Sequence, residues 1–231
     1  MNGVSFKKRI IKTARLFVLR RLKFGIVDYR NSLIVNEPGR LDEIARIYRE
    51  DRSLQGIEEL YNIHNAVRVT GRLDGPIAEV GVFRGGSARL IALGKGKREL
   101  HLFDSFSGMR EVSSIDRHGK GDFGSSRIDD VKGYLGGFEG VHFHEGWFPE
   151  TAAPVLEMRF SMVHLDVDLY QSTRDALELF SPRMMPGGVI LSHDYNSISC
   201  PGVKKAFDEF SEAAGRAVFE LGGTSQCMVV Y

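Results

Sequence analysis

Asp166 and Asp168 stand two residues apart in Met162-Val-His-Leu-Asp-Val-Asp-Leu-Tyr-Gln-Ser-Thr173, and Asp194 follows 28 residues after Asp166 in Pro186-Gly-Gly-Val-Ile-Leu-Ser-His-Asp-Tyr195. A parallel strand-helix-strand unit takes about 30 residues. Both segments are therefore predicted to end at the same edge of one sheet, side by side. Three carboxylates gathered there repel one another unless a cation joins them. Hard oxygen donors with water in the remaining positions suit magnesium. Such an ion makes a bound hydroxyl more acidic, while a neighbouring carboxylate takes the proton. His193 is open to three readings: metal ligand, hydrogen-bond partner to a substrate, or core histidine. His164, inside the strand, is read as a core residue.

A second constellation lies earlier. Ile77-Ala-Glu-Val-Gly-Val-Phe-Arg-Gly-Gly-Ser87 ends a strand, turns through glycines and opens a helix. Gly81, Gly85 and Gly86 permit close backbone approach, and the helix N-terminus favours electron-rich groups. Phe83 and Arg84 break the dinucleotide fingerprint, and Glu79 would repel a pyrophosphate while suiting a cationic amino group. Asp104 comes 25 residues after Glu79, at the end of the next strand, where an acid accepts hydrogen bonds from ribose hydroxyls. A ribose-bearing ligand with a positive amino-acid tail fits this set better than a nicotinamide dinucleotide. Trp147 follows the third strand, where it either stacks on an adenine or joins the core.

Elements that would position these residues are legible in the pattern. Ile77–Val82, Leu100–Phe103, Val141–His144, Met162–Leu165 and Val189–Ser192 read as strands, with helices near Ser87–Leu93, Ile128–Tyr134, Ser172–Phe180 and Val203–Ala213. Strands this apolar, separated by helices, predict a parallel sheet covered on both faces. Val218–Leu221 and Gln226–Tyr231, joined through Gly222-Gly223-Thr224, read as a terminal hairpin. The expected fold is a doubly wound, mostly parallel seven-stranded sheet with a C-terminal antiparallel hairpin and an N-terminal helical extension. Ser172 and Asp175 are expected to form a capping box. The Gly-rich stretch from Gly108 to Gly140, with Asp116, His118, Lys120 and Asp122, is expected to be a lid over the substrate.

The net charge of +1 over 231 residues conceals a split, since residues 1–23 carry +8 and the remainder −7. Residues 6–22 read as a helix with one apolar and one basic side, which would lie on an anionic membrane surface or pack on the domain or on a second subunit. A loop at Asn36–Pro38–Gly39 precedes a helical stretch from Leu41 to Val69. The expected organisation is a basic helical extension over residues 1–56 and a catalytic domain over 57–231. No run approaches the roughly 20 apolar residues of a bilayer span, and no signal peptide is recognisable, so the expected location is the cytoplasm, with peripheral membrane contact one of the arm's two readings. Cys200 and Cys227 are too few for a disulfide framework and read as reduced. The acidic body argues against nucleic acid as a partner.

Gly81–Ser87, His101–Gly108, Glu145-Gly-Trp-Phe-Pro-Glu-Thr151, Leu165–Thr173 and Gly187–Tyr195 together resemble the macrocin O-methyltransferase family, in order from about residue 57 to 210. The resemblance implies a class I methyltransferase fold that uses S-adenosylmethionine and magnesium to methylate hydroxyls, typically on sugars of natural products. It also implies roles. Asp166 and Asp194 are similar to metal ligands, with His193 beside them, and Asp168 to the general base. Glu79, Gly81, Ser87 and Asp104 are similar to cofactor contacts, a set that Gly85, Ser105 and Trp147 complete. The family carries two adjacent aspartates where this chain has His193–Asp194, although a neutral imidazole also coordinates divalent ions. Two other readings stand beside the sugar O-methyltransferase: methylation of a small aromatic diol or other non-sugar hydroxyl, and a non-catalytic nucleoside-binding module docked through the basic arm.

Overall fold

A computed structural model describes residues 38–110 and 112–231. The chain divides into two compact units, Met1–Leu54 and Gln55–Tyr231. The amphipathic segment 6–22 lies outside the described residues. In the first unit, helix α1 spans Pro38–Arg49 and carries Arg46 and Arg49 in its last turn, where cations complement the helix dipole. It stops as Asp51 takes a left-handed conformation (φ 53°) and the Arg52 amide donates to the Ile47 carbonyl.

The second unit opens with helix α2 (Ile57–Val69), whose N-cap is the extended Gly56. The single helical stretch expected from Leu41 to Val69 is thus two helices. Asp51 and Gly56 break it, because neither adopts helical backbone geometry.

Seven strands form one sheet: β1 (Ile77–Val80), β2 (Leu100–Asp104), β3 (Val141–Glu145), β4 (Phe160–Leu165), β5 (Met184–Ser192), β6 (Phe219–Glu220) and β7 (Cys227–Val230). Their order is β3-β2-β1-β4-β5-β7-β6. The first five strands run parallel, β7 pairs antiparallel with β5, and β6 pairs antiparallel with β7. This is the expected doubly wound sheet with its terminal hairpin. Every residue of β1 and β4 is buried, as both faces are covered. Helices α3 (Gly86–Gly94), α4 (Ile128–Leu135), α5 (Tyr170–Phe180) and α6 (Pro201–Ala214) follow β1, β2, β4 and β5 in turn.

Helix α5 begins earlier than expected, at Tyr170, with Leu169 as its N-cap and no side-chain cap. The capping box assigned to Ser172 and Asp175 is therefore incorrect. Both residues lie inside the helix, and Asp175 accepts a hydrogen bond from the Gln171 amide (2.7 Å). The helix start is held from elsewhere, as Asp116 Oδ1 accepts the Tyr170 N–H (2.9 Å).

The chain order reverses between β1 and β4, and ligands of such sheets bind at the carboxyl ends beside that point. Gly81 sits there with φ 87°, and a Cβ on it would meet the Asp166 carbonyl oxygen at 1.9 Å. Only glycine lets the two strand ends come this close. Among the described residues, no helix is long and apolar enough to cross a membrane.

Candidate active site

Asp166, Asp168, His193 and Asp194 meet at the carboxyl ends of β4 and β5. The Asp166 amide donates to Val80 of β1 and the His193 amide to Leu165 of β4, which holds both strand ends in line. Asp168 (φ 60°) and Asp194 (φ 65°) both adopt the left-handed region. That conformation is strained for a residue with a side chain, though less so for aspartate. Asp194 is only 7% exposed.

The imidazole of His193 lies among carboxylates. Nδ1 is 3.0 Å from Asp166 Oδ1 and 2.8 Å from Asp194 Oδ2, and Nε2 is 3.2 Å from Glu59 Oε2. Glu59 comes from the first turn of α2, and its Oε2 also accepts the Gly56 N–H. Its Oε1 accepts the amide and hydroxyl of Ser225 (2.9 and 2.8 Å), which lies between β6 and β7. Gln55 donates to Asp166 Oδ2 (2.7 Å).

Burial shapes the charges here in opposite senses. It works to lower the His193 pKa, but the carboxylates of Asp166, Asp194 and Glu59 outweigh it and hold the imidazole well above its ordinary value. Burial also works to raise Glu59, and His193 with the Gly56 and Ser225 amides overcomes it, leaving that carboxyl well below the usual range. Asp166 is likewise lowered against its burial, chiefly by His193. At Asp168 the opposing pull of His193 is outweighed. Burial, then the charges of Asp166 and Asp194, push it well above the ordinary carboxylate value.

The donor set fits a divalent ion. Asp166, His193 and Asp194 each offer one atom, all within 4.8 Å of one another. In an octahedron with bonds of about 2.1 Å, adjacent donors lie about 3 Å apart, close to the separations of Nδ1 from the two carboxylates.

The glycine turn lies beside this cluster. Glu79, fully buried, pairs through Oε1 with His164 Nδ1 (2.8 Å), while its Oε2 is buried without a hydrogen-bond partner. Burial raises its pKa, against His164 and the Ser87 hydroxyl. His164 is the core residue expected. Gly85 is left-handed (φ 80°) and forms the N-cap of α3. A buried unsatisfied carboxylate oxygen next to a glycine turn and a helix N-terminus fits a ligand with a cationic amino group.

Asp104 and Ser105 are at the expected edge, but both are engaged locally. Asp104 Oδ2 accepts the Val82 and Phe83 amides (2.7 and 2.8 Å) and Oδ1 accepts Phe106 (2.7 Å). The Ser105 hydroxyl donates to the Gly108 carbonyl (2.9 Å). A carboxylate accepts about four hydrogen bonds, so Asp104 retains capacity for one more. Trp147 is not a core residue: it is 36% exposed, and the Arg110 guanidinium stands over its ring.

The stretch after β2 reaches the site. Besides anchoring α5 through Asp116, it brings His118 Nε2 to 3.5 Å from the Cys200 sulfur, which itself lies 3.5 Å from Asp168 Oδ1. Both cysteines are free and buried. Glu59 and Gln55 carried no assignment from the sequence, His118 only a place in the expected lid and Cys200 only a reduced state. Only the glutamate at the third helical position after Gly56 left a trace there, as a helix-start signal.

Residues 49–218 match the Macrocin-O-methyltransferase (TylF) family. The chain is 31% identical over 193 aligned positions to 8-demethyl-8-(2,3-dimethoxy-alpha-L-rhamnosyl)-tetracenomycin-C 4'-O-methyltransferase of Streptomyces olivaceus, covering 72% of this chain and 74% of that protein. It is 29% identical over 185 positions to demethyldecarbamoylnovobiocin O-methyltransferase of Streptomyces niveus, covering 72% and 68%. Among solved structures, the O-methyltransferase NovP superposes with a TM-score of 0.64 at 25% identity, covering 78% of this chain and 81% of that one.

Proposed function

The chain belongs to the macrocin O-methyltransferase family, and from that premise we propose that it methylates a hydroxyl on a sugar carried by a natural product. In this reading S-adenosylmethionine is the donor, Asp166, His193 and Asp194 hold a divalent ion, and Asp168 is the general base. The resemblance expects that ion to be magnesium. The observation that carries the reading is the meeting of Asp166, His193 and Asp194, with Asp168 against Asp194, beside the β1–α3 glycine turn. The relatives' names, which specify a rhamnosyl 4'-O-methylation and a novobiocin O-methylation, favour a glycosylated acceptor.

S-adenosylmethionine supplies the methyl group on a cationic sulfur, and a divalent ion supplies fixed positive charge that makes the acceptor hydroxyl more acidic. The chain's own residues do the rest. Glu79 and Ser87 offer acceptors for the donor's amino-acid end, Gly81 and Gly85 clear room for it, and Asp104 turns its remaining lone pair to ribose. Asp168 would take the proton of the acceptor hydroxyl, leaving its oxygen free to receive the methyl group as the donor departs as the neutral thioether. In-line placement accounts for most of the rate, so the segment from Gly108 to Arg127 serves as a cover that excludes water. The basic arm of residues 1–23 acts as an extension outside the chemistry.

Purified protein incubated with tritiated S-adenosylmethionine and a panel of deoxysugar glycosides tests this. Label in the sugar, lost on chelation and restored by a divalent salt, is expected. Label in aromatic diols alone would overturn the choice of acceptor, and transfer unaffected by chelator would overturn the metal.

A further inference from the structure

Glu59 and His193 are separated by 134 residues in sequence yet joined at 3.2 Å, and this pair bears on which ion the site takes. The inference rests on the proposed metal site and concerns residues of this chain alone. A carboxylate accepts hydrogen bonds and donates none. Where an ion takes the place of the Nδ1 proton between Asp166 Oδ1 and Asp194 Oδ2, at 3.0 and 2.8 Å, the remaining ring proton would sit on Nε2 against Glu59 Oε2, and Nδ1 would be left as the donor atom. Glu59 cannot easily turn away. The Gly56 amide holds Oε2, and the Ser225 amide and hydroxyl hold Oε1. A carboxylate fixing the far nitrogen of a metal-binding imidazole orients the ring and raises its basicity.

We infer that Glu59 is a positioning residue that presents His193 Nδ1 as a nitrogen ligand, and that the resulting His/Asp/Asp set prefers first-row transition ions, Mn2+ being the hardest of them, over Mg2+. Imidazole suits first-row transition ions, whereas Mg2+ takes oxygen donors and keeps its waters. Histidine rather than a third carboxylate at position 193 thereby bears on metal choice. It requires α2 to deliver its carboxylate to the end of β5.

The test is equilibrium binding of Mn2+ to the full chain, read from the loss of the free-ion electron paramagnetic resonance signal, with Mg2+ as competitor and no substrate present. Wild type is expected to favour Mn2+ strongly, and His193→Asp to reduce the Mn2+/Mg2+ affinity ratio about tenfold. Glu59→Gln is expected to weaken Mn2+ binding roughly 10-fold or more in the wild-type background and hardly at all in His193→Asp, a coupling that a merely structural role would not produce. Ser225→Ala, which loosens Glu59 without touching His193, is expected to give a smaller loss of the same kind. An unchanged ratio in His193→Asp, or equal effects of Glu59→Gln in both backgrounds, would overturn the inference and leave the metal site standing. Absence of binding by both ions in every form would overturn the metal site itself, and the inference with it.

Discussion

Glu79 of β1 and His164 of β4 are direct register partners whose side chains meet at 2.8 Å with neither exposed to solvent. The pair lies one residue before Val80 and Leu165, the last residues of strands that lead to the glycine turn and to Asp166. It therefore ties the two halves of the site together from within the sheet. Removing one member leaves the other buried without a partner, and such losses cost about 3 kcal/mol or more. Glu79→Ala is expected to lower unfolding free energy by about that amount in urea titration, and Glu79→Gln, which keeps an acceptor, by less.

Asp168 is expected to matter to chemistry and hardly to folding. Removing a general base typically costs roughly 10²- to 10⁴-fold in rate. Asp168→Asn should lower kcat within that range while binding S-adenosylhomocysteine with wild-type affinity in calorimetry.

Two glycine substitutions should act in opposite senses. Gly81→Ala places a Cβ 1.9 Å from a backbone oxygen at φ 87°, so about 3 kcal/mol or more of stability should be lost, and cofactor binding with it. Gly133→Ala, inside α4 with open space around its Cβ, should raise stability by about 0.5–1 kcal/mol. Thermal melts of the two variants check both.

His101 sets a pH dependence. Burial, then the neighbouring His142 and His144, lower its pKa from 6.5 to about 4. Those rings stack on it at centroid distances of 4.9 and 5.3 Å. A histidine depressed in the fold contributes stability that is fully present above its unfolded pKa and is lost as pH falls toward the folded value. Relative to His101→Leu, wild type should lose about 2 kcal/mol between pH 7.5 and pH 5. A difference independent of pH would contradict this.

Asp116 should govern the cover rather than the core. Its Oδ1 receives the first amide of α5 and its Oδ2 the amide and hydroxyl of Ser113. Loss of a cap costs about 1 kcal/mol, which is roughly fivefold in a local opening equilibrium. Asp116→Ala is expected to speed limited proteolysis between Gly108 and Arg127 by about that factor and to raise KM for the acceptor, with little change in melting temperature.

The parts of this protein legible from its sequence are those governed by local pattern. Apolar runs alternating with helices implied a buried parallel sheet, and the 28-residue step from Asp166 to Asp194 put both at one edge. The register of β4 on β5 bears this out, with Leu165 opposite Ser192. The break between α1 and α2 was hidden because the apolar periodicity runs through it, while Asp51 and Gly56 interrupt only the backbone. The start of α5 was hidden because Asp116, 54 residues away in sequence, satisfies its first amide.

The sequence by itself determined the fold class, the edge at which the candidate site gathers and the identity of the aspartates there, since strand period, connection length and glycine turns are short-range properties. Only the tertiary structure decided what each side chain does at that edge. Asp104 turns its carboxylate onto three backbone amides, and Glu59 crosses from α2 to His193 under the hold of Ser225. Hydrogen bonding acts over about 3 Å in space and is indifferent to distance along the chain, so partners more than a hundred residues apart meet only when the sheet has brought their elements together.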